Sequence, residues 1–157
     1  MPRAPIQHRI AAVRQKLPEV AVDTFMVSID ANRRYLSGFQ AEDGQFDETA
    51  GVLLIDAETL LLATDSRYID AARKEAPDYE AVCYRKGLVK ALPGLFSRLG
   101  TRRLGFESRR LSFQEVERLR GAIDEAGLDI ELVPLTEVVE SLRAVKSADE
   151  VERTRRT

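Results

Sequence analysis

The sequence predicts an α/β domain, a mixed sheet with helices packed on its faces. Two observations carry that expectation. Gly51–Asp56 and Thr59–Thr64 are apolar runs joined by only Ala57-Glu58, a connection so short that it implies an antiparallel hairpin. After the hairpin, apolar stripes at helical spacing alternate with short apolar runs, the order of repeated helix–strand units. At 157 residues the chain suits one domain, long enough to bury a sizeable core without disulfides or metals as staples.

In order along the chain, Ile6, Ile10, Val13 and Leu17 form one stripe of an opening helix expected to end before Pro18. Thr24–Ile29 reads as a buried strand. Asp30 can cap a short helical turn through Leu36, with Gly38 as the left-handed residue that ends it. A polar loop from Gln40 to Ala50 follows, with Glu42, Asp43, Asp47 and Glu48 around Gly44. Beyond the hairpin, Asp65 or Ser66 is expected to cap a helix through Tyr68, Ile69, Ala72 and Ala76 that breaks at Pro77. Tyr79–Tyr84 is the next strand.

Leu88, Leu92, Leu95, Phe96 and Leu99 give another helical stripe, in which Pro93 should cut the helix short or mark its first turn. Arg103–Glu107 is a strand. Ser112-Phe113-Gln114-Glu115 is a capping box opening a helix that turns Phe113, Val116, Leu119 and Ile123 inward, keeps Arg118 and Arg120 in water, and ends at Gly127. Ile130–Leu135 is the last strand, at an edge or ending early because Pro134 lacks a donor. Thr136 starts a helix through Val138, Val139 and Leu142. Ser147-Ala148-Asp149-Glu150 is a further capping box, and the polar helix it opens has only Val151 to bury. That reads as a connector, with 1–146 as the domain and 147–157 as the start of a linker helix to a following domain.

The 24 basic and 26 acidic residues nearly cancel, which argues against nucleic acid or an anionic membrane as the main partner. Basic pairs at Arg33-Arg34, Arg102-Arg103, Arg109-Arg110 and Arg155-Arg156 are scattered among acidic residues and read as solvated surface. No apolar run of about 18 residues could span a bilayer, and no secretion signal opens the chain, so a cytoplasmic location is expected. The lone cysteine, Cys83, lies in an apolar run and is expected in the core.

The inventory limits chemistry. His8 is the only histidine, off the apolar stripe of its helix and without a neighbouring soft ligand, so neither a metal site nor a serine–histidine pair is expected here. No glycine-rich phosphate-binding pattern follows any strand. Asp23, Asp30, Asp56, Asp65 and Glu107 fall near strand ends. The hairpin-plus-units order resembles the ribonuclease H layout, where such acids bind divalent metal, although caps and solvated surface account for most residues of this kind.

Three segments in order, Asn32-Arg33-Arg34-Tyr35-Leu36-Ser37-Gly38-Phe39, Thr64-Asp65-Ser66-Arg67-Tyr68 and Leu142-Arg143-Ala144-Val145-Lys146-Ser147-Ala148-Asp149-Glu150, resemble the successive markers of the creatinase/prolidase N-terminal domain. Leu104-Gly105-Phe106-Glu107 is similar to a fourth. Asn32, Tyr35, Gly38, Asp65, Arg67 and Tyr68 within these markers are read as structural. The resemblance implies a non-catalytic N-terminal domain of an aminopeptidase P or prolidase-like Xaa-Pro metallopeptidase, with a ribonuclease H-like fold. It further implies a following pita-bread catalytic domain, in which two aspartates, a histidine and two glutamates hold two divalent ions such as manganese, cobalt or zinc. The implied partners are that catalytic domain, a second copy in a homodimer, and peptides with proline at the second position. A creatine-amidinohydrolase-like parent and a free-standing interaction domain are the alternatives. Aminopeptidase P relatives often have a compact Gly-Phe-Thr-Gly-Ser-x-Gly stretch where this chain has the longer acidic loop. Phe46, Asp47 and Glu48 in that loop are the candidate substrate-access residues.

Overall fold

The computed structural model of the chain describes residues 3–44 and 48–144. Helix α1 (Arg3–Glu19) leads into strand β1 (Thr24–Val27) and the short helix α2 (Asp30–Ser37). The hairpin is β2 (Val52–Ile55) and β3 (Leu60–Thr64), followed by α3 (Ile69–Glu75), β4 (Glu80–Cys83) and α4 (Leu88–Leu99). Strand β5 (Arg103–Glu107), α5 (Phe113–Glu125), β6 (Glu131–Leu135) and a helix α6 over 138–144 complete the described chain.

The six strands lie in the order β4-β3-β2-β1-β5-β6. Only β2 runs against the others, pairing antiparallel with β1 and β3, while β1–β5, β3–β4 and β5–β6 pair in parallel. The expected mixed sheet is therefore present. Its hairpin closes on Asp56, whose carboxylate accepts from the Glu58 and Thr59 amides at 2.9 and 2.6 Å, an aspartate bonding its own backbone across the turn. Arg14 of α1 donates to Asp56 O at 2.8 Å and pins that turn to the helix.

Alternation along the central strands divides the apolar side chains between two cores. Phe25, Val27, Leu53, Ile55 and Leu62 pack beneath α1, α2, α3 and Val139 of α6. Met26, Val52, Leu54, Leu61 and Leu104 pack beneath α4 and α5. Sequence alternation thus fixes which helices share a face.

Several elements differ from expectation. Helix α1 continues through Pro18, because proline forfeits one bond to the preceding turn while the Val20 amide still reaches Lys16 O at 3.1 Å. Pro93 sits inside α4 and is buried, held by the face that carries Leu92, Leu95 and Phe96 into the core. Asp65 caps a turn, donating nothing and accepting from the Arg67 amide at 2.9 Å, and α3 starts only at Ile69. Phe113 is 81% exposed, since it is the first residue of α5 and lies beyond the cluster that Leu119 and Ile123 reach. Cys83 is exposed because it ends an edge strand whose outer residues meet neither core. The capping box at Ser112 is formed as expected, with Glu115 N–H to Ser112 Oγ at 3.1 Å and Ser112 N–H to Glu115 Oε1 at 3.0 Å. Pro134 lies on the edge strand β6. The capping box at Ser147 and the linker helix fall outside the described residues.

Candidate functional site

Helix α2 sits at the carboxyl ends of the parallel strands, where open α/β sheets place their sites. It starts at Asp30 just past β1 and stops at Gly38, whose φ of 87° suits the left-handed cap. A Cβ on Gly38 would come within 2.8 Å of Glu75 O, so this residue also lets the end of α2 touch the end of α3. The face turned inward carries Asn32, Arg33, Leu36 and Ser37. Asn32 and Arg33 each organise a polar cluster.

Arg33 is 0% exposed. Its guanidinium donates to Gly51 O and Ala41 O, both at 2.7 Å, and lies 3.2 Å from Asp43 Oδ1. The Phe39 ring stands 5.5 Å away. Asp43 in turn accepts from the Ala50 amide at 2.8 Å. Arg110, after β5, reaches Asp43 Oδ2 at 3.5 Å and Glu48 O at 2.6 Å. The two ends of the acidic loop are thereby closed on each other and clamped to the sheet. A buried charge requires such a set of partners, because an unpaired ion in this position would cost several kcal/mol.

The second cluster centres on Glu107, 5% exposed at the end of β5. Its carboxylate accepts from the Ser28 amide at 2.6 Å, the Ile29 amide at 2.8 Å and Asn32 Nδ2 at 2.6 Å. Arg143 Nη1 donates to Asn32 Oδ1 at 2.9 Å. Asn32 thus links β5 through α2 to α6. Burial pushes the Glu107 carboxyl above the usual carboxylate range, against the pull of the Ile29, Asn32 and Ser28 hydrogen bonds, and Glu140 adds to the rise.

The remaining expected residues fall in three places. Tyr35 lies under the Arg9 guanidinium, 4.1 Å from the ring centroid. Tyr68 meets Phe39 edge to face at 6.4 Å, which brings the first and second marker segments together. Asp65 and Arg67 form an exposed pair at 2.8 Å that holds the Asp65 carboxyl below its ordinary range. Glu48 is exposed, and Phe46 and Asp47 lie outside the described residues.

Of the strand-end acids, Asp23 accepts from the Arg102 and Arg103 amides, Asp56 closes the hairpin, and Glu107 holds α2. Among the described residues no three His, Cys, Asp or Glu side chains are grouped to hold a metal ion. Sequence reasoning placed Arg33 and Arg110 in solvated surface pairs and Asp43 only among the acids of the polar loop, not as a buried partner of arginine. The available signal was helical spacing, which sets Asn32 and Arg33 on the same face as Leu36.

A family model described as the creatinase/prolidase N-terminal domain matches residues 9–145. The uncharacterised peptidase YqhT of Bacillus subtilis is 26% identical over 143 residues, which is 91% of this chain and 37% of that protein. A Xaa-Pro dipeptidase structure from Bacillus anthracis has a TM-score of 0.76 at 29% identity, covering 88% of this chain and 36% of its own. The N-terminal domain of the cytoplasmic peptidase PepQ from Mycobacterium tuberculosis has a TM-score of 0.73 at 32% identity, covering 86% of this chain and 98% of its own. The chain spans little more than a third of the first two proteins and nearly all of the third, which is a single domain.

Proposed function

The chain belongs to the creatinase/prolidase N-terminal domain family, and from that premise we propose that it is the non-catalytic front domain of a Xaa-Pro metallopeptidase, serving subunit association and shaping substrate access. The observation that carries the reading is the clamped acidic loop. Arg33, Asp43 and Arg110 hold its ends against the carboxyl edge of the sheet, and the loop sequence contains Phe46, Asp47 and Glu48. Acidic groups at an entrance attract the positively charged amino terminus of a peptide.

Two divalent ions do not fit the described residues, whose strand-end acids are engaged with backbone amides and among which no three ligand-type side chains converge. Such ions belong to the following domain, where they would activate water for attack on the bond before proline. This chain's residues position the loop and route no chemical step. The cytoplasmic location we propose rests on the likeness to PepQ, a cytoplasmic peptidase; separately, no described helix is long and apolar enough to cross a membrane.

The test uses the protein joined to its downstream sequence. Replacing Asp47 and Glu48 by asparagine and glutamine is expected to raise KM for free-amine Xaa-Pro peptides, with the effect shrinking at high salt. Unchanged kinetics at low ionic strength would remove the loop from substrate capture. The 157-residue chain alone, supplied with manganese, cobalt or zinc, should leave the same peptides intact, and metal-dependent cleavage by it would overturn the non-catalytic assignment.

A further inference from the structure

The sheet face opposite α2 carries a cleft of about 700 Å³ between α4 and α5. Strand alternation sets its floor: Met26 of β1 and Ser28, the residue just past that strand, line the cleft, whereas Phe25 and Val27 pack in the other core. Ser28 is 3% exposed and is one of the residues lining the cleft, and its buried hydroxyl has no hydrogen-bond partner among the described residues. A buried hydroxyl left unbonded is costly, and its presence calls for a ligand or solvent partner.

A second feature opens into the same space. Helix α4 begins at Leu88 after Gly87, which has a φ of 97° and offers no side-chain cap. Gly87, Leu88, Val89 and Lys90 all line the cleft, so the first turn of this 12-residue helix presents its amides and the positive end of its dipole there. Lys86 stands beside that turn and Arg118 on the facing wall. The acids in the lining are Glu115, which is bonded back to the Ser112 amide, and Glu125. Leu92 and Leu119 give the deeper part an apolar surface.

We propose that this cleft binds a small amphipathic carboxylate, with its anion at the first turn of α4, a hydrogen bond from Ser28 Oγ, and its apolar body over Met26, Leu92 and Leu119. A free medium-chain acid and the C-terminus of a short apolar peptide share this chemistry. The site stands on its own residues and is independent of the peptidase reading.

The experiment is a nitrogen–proton NMR titration of the intact chain with octanoate, octanol, acetyl-Leu-Leu as the free acid, and its amide. A carboxylate should give saturable shifts at Ser28, Leu88–Lys90 and Ala122, while octanol and the peptide amide bind at least about tenfold more weakly. Tighter binding of octanoate assigns a free acid and tighter binding of the peptide acid assigns a peptide C-terminus, and either supports the site. Ser28→Ala should weaken the carboxylate about tenfold. Gly121→Leu, at a helical position where an added Cβ meets nothing within 4 Å, should block binding, with thermal unfolding confirming that both variants are folded. No saturation of either acid by about 10 mM, equal binding of octanol, or full affinity in both variants would overturn the proposal.

Discussion

Replacing Glu107 with glutamine separates two opposing influences on one buried carboxyl. The wild-type side chain gives Oε1 to the Ser28 and Ile29 amides and Oε2 to Asn32 Nδ2. Glutamine keeps one oxygen for the amides but turns an NH2 toward the NH2 of Asn32. Asn32 cannot answer by rotating its amide, because its oxygen already accepts from Arg143. One charge-assisted bond is lost and two donors oppose each other, at about 2–3 kcal/mol, less the relief of no longer burying a charge. A net loss of about 2 kcal/mol corresponds to a Tm about 4–8 °C lower in a chain of this size.

The dependence on pH is the sharper readout. Burial holds the folded pKa of Glu107 above its unfolded value. The folded state therefore keeps this proton at pH values where the unfolded state has released it. The group's contribution is greatest in acid and declines as pH rises from the ordinary carboxylate range through the raised value. Glutamine has no such proton, and every other titrating group is common to both proteins. Urea unfolding of both between about pH 4 and pH 8 should show the gap widening toward acid. A gap that narrows toward acid would mean that the three donors hold the carboxyl as an ion more strongly than burial neutralises it, and the reasoning would fail.

Other expectations concern the loop clamp and the surface. Gly51→Ala would set a Cβ 2.3 Å from Ala63 O at a φ of 147°, and urea unfolding should show a loss of about 3 kcal/mol or more. Arg33→Met leaves Asp43 and two carbonyls without their buried partner and should cost about 3–5 kcal/mol, part of which returns when Asp43→Asn is added. Phe113→Ser, at an exposed ring, should leave stability within about 0.5 kcal/mol by thermal unfolding. A larger loss would show that the ring is covered.

The hairpin, the capping box at Ser112, strand β5 and the glycine that closes α2 were legible because each depends on residues close in sequence. Arg33 was not, because its burial depends on carbonyls at Ala41 and Gly51 and on a carboxylate at Asp43, which only the closed loop brings round it. Cys83 and Phe113 were misread for the opposite reason. Cys83 lies in an apolar run and Phe113 stands at helical spacing from Val116, yet one ends an edge strand and the other begins a helix beyond the reach of its core. Periodicity reports which residues share a face; it does not report where that face runs out. Pro18 and Pro93 show the same limit, since tertiary burial of the stripe outweighs one missing helical bond in each case.

The position of Pro134 bears on how copies of this protein can meet. The Glu131 amide and Leu135 O both point toward β5, the first bonding Arg102 O and the second accepting from Ser108. The alternate residues Leu132 and Pro134 therefore direct their backbone outward. Proline has no amide hydrogen to offer, so within β6 only Leu132 presents a donor to an approaching strand. A second copy adding itself there would find half of the outward donors absent and could not extend the ladder. Assembly by merging two sheets along this border is disfavoured, which leaves the opposite β4 edge, helical surfaces and loops as the means by which two such domains could associate.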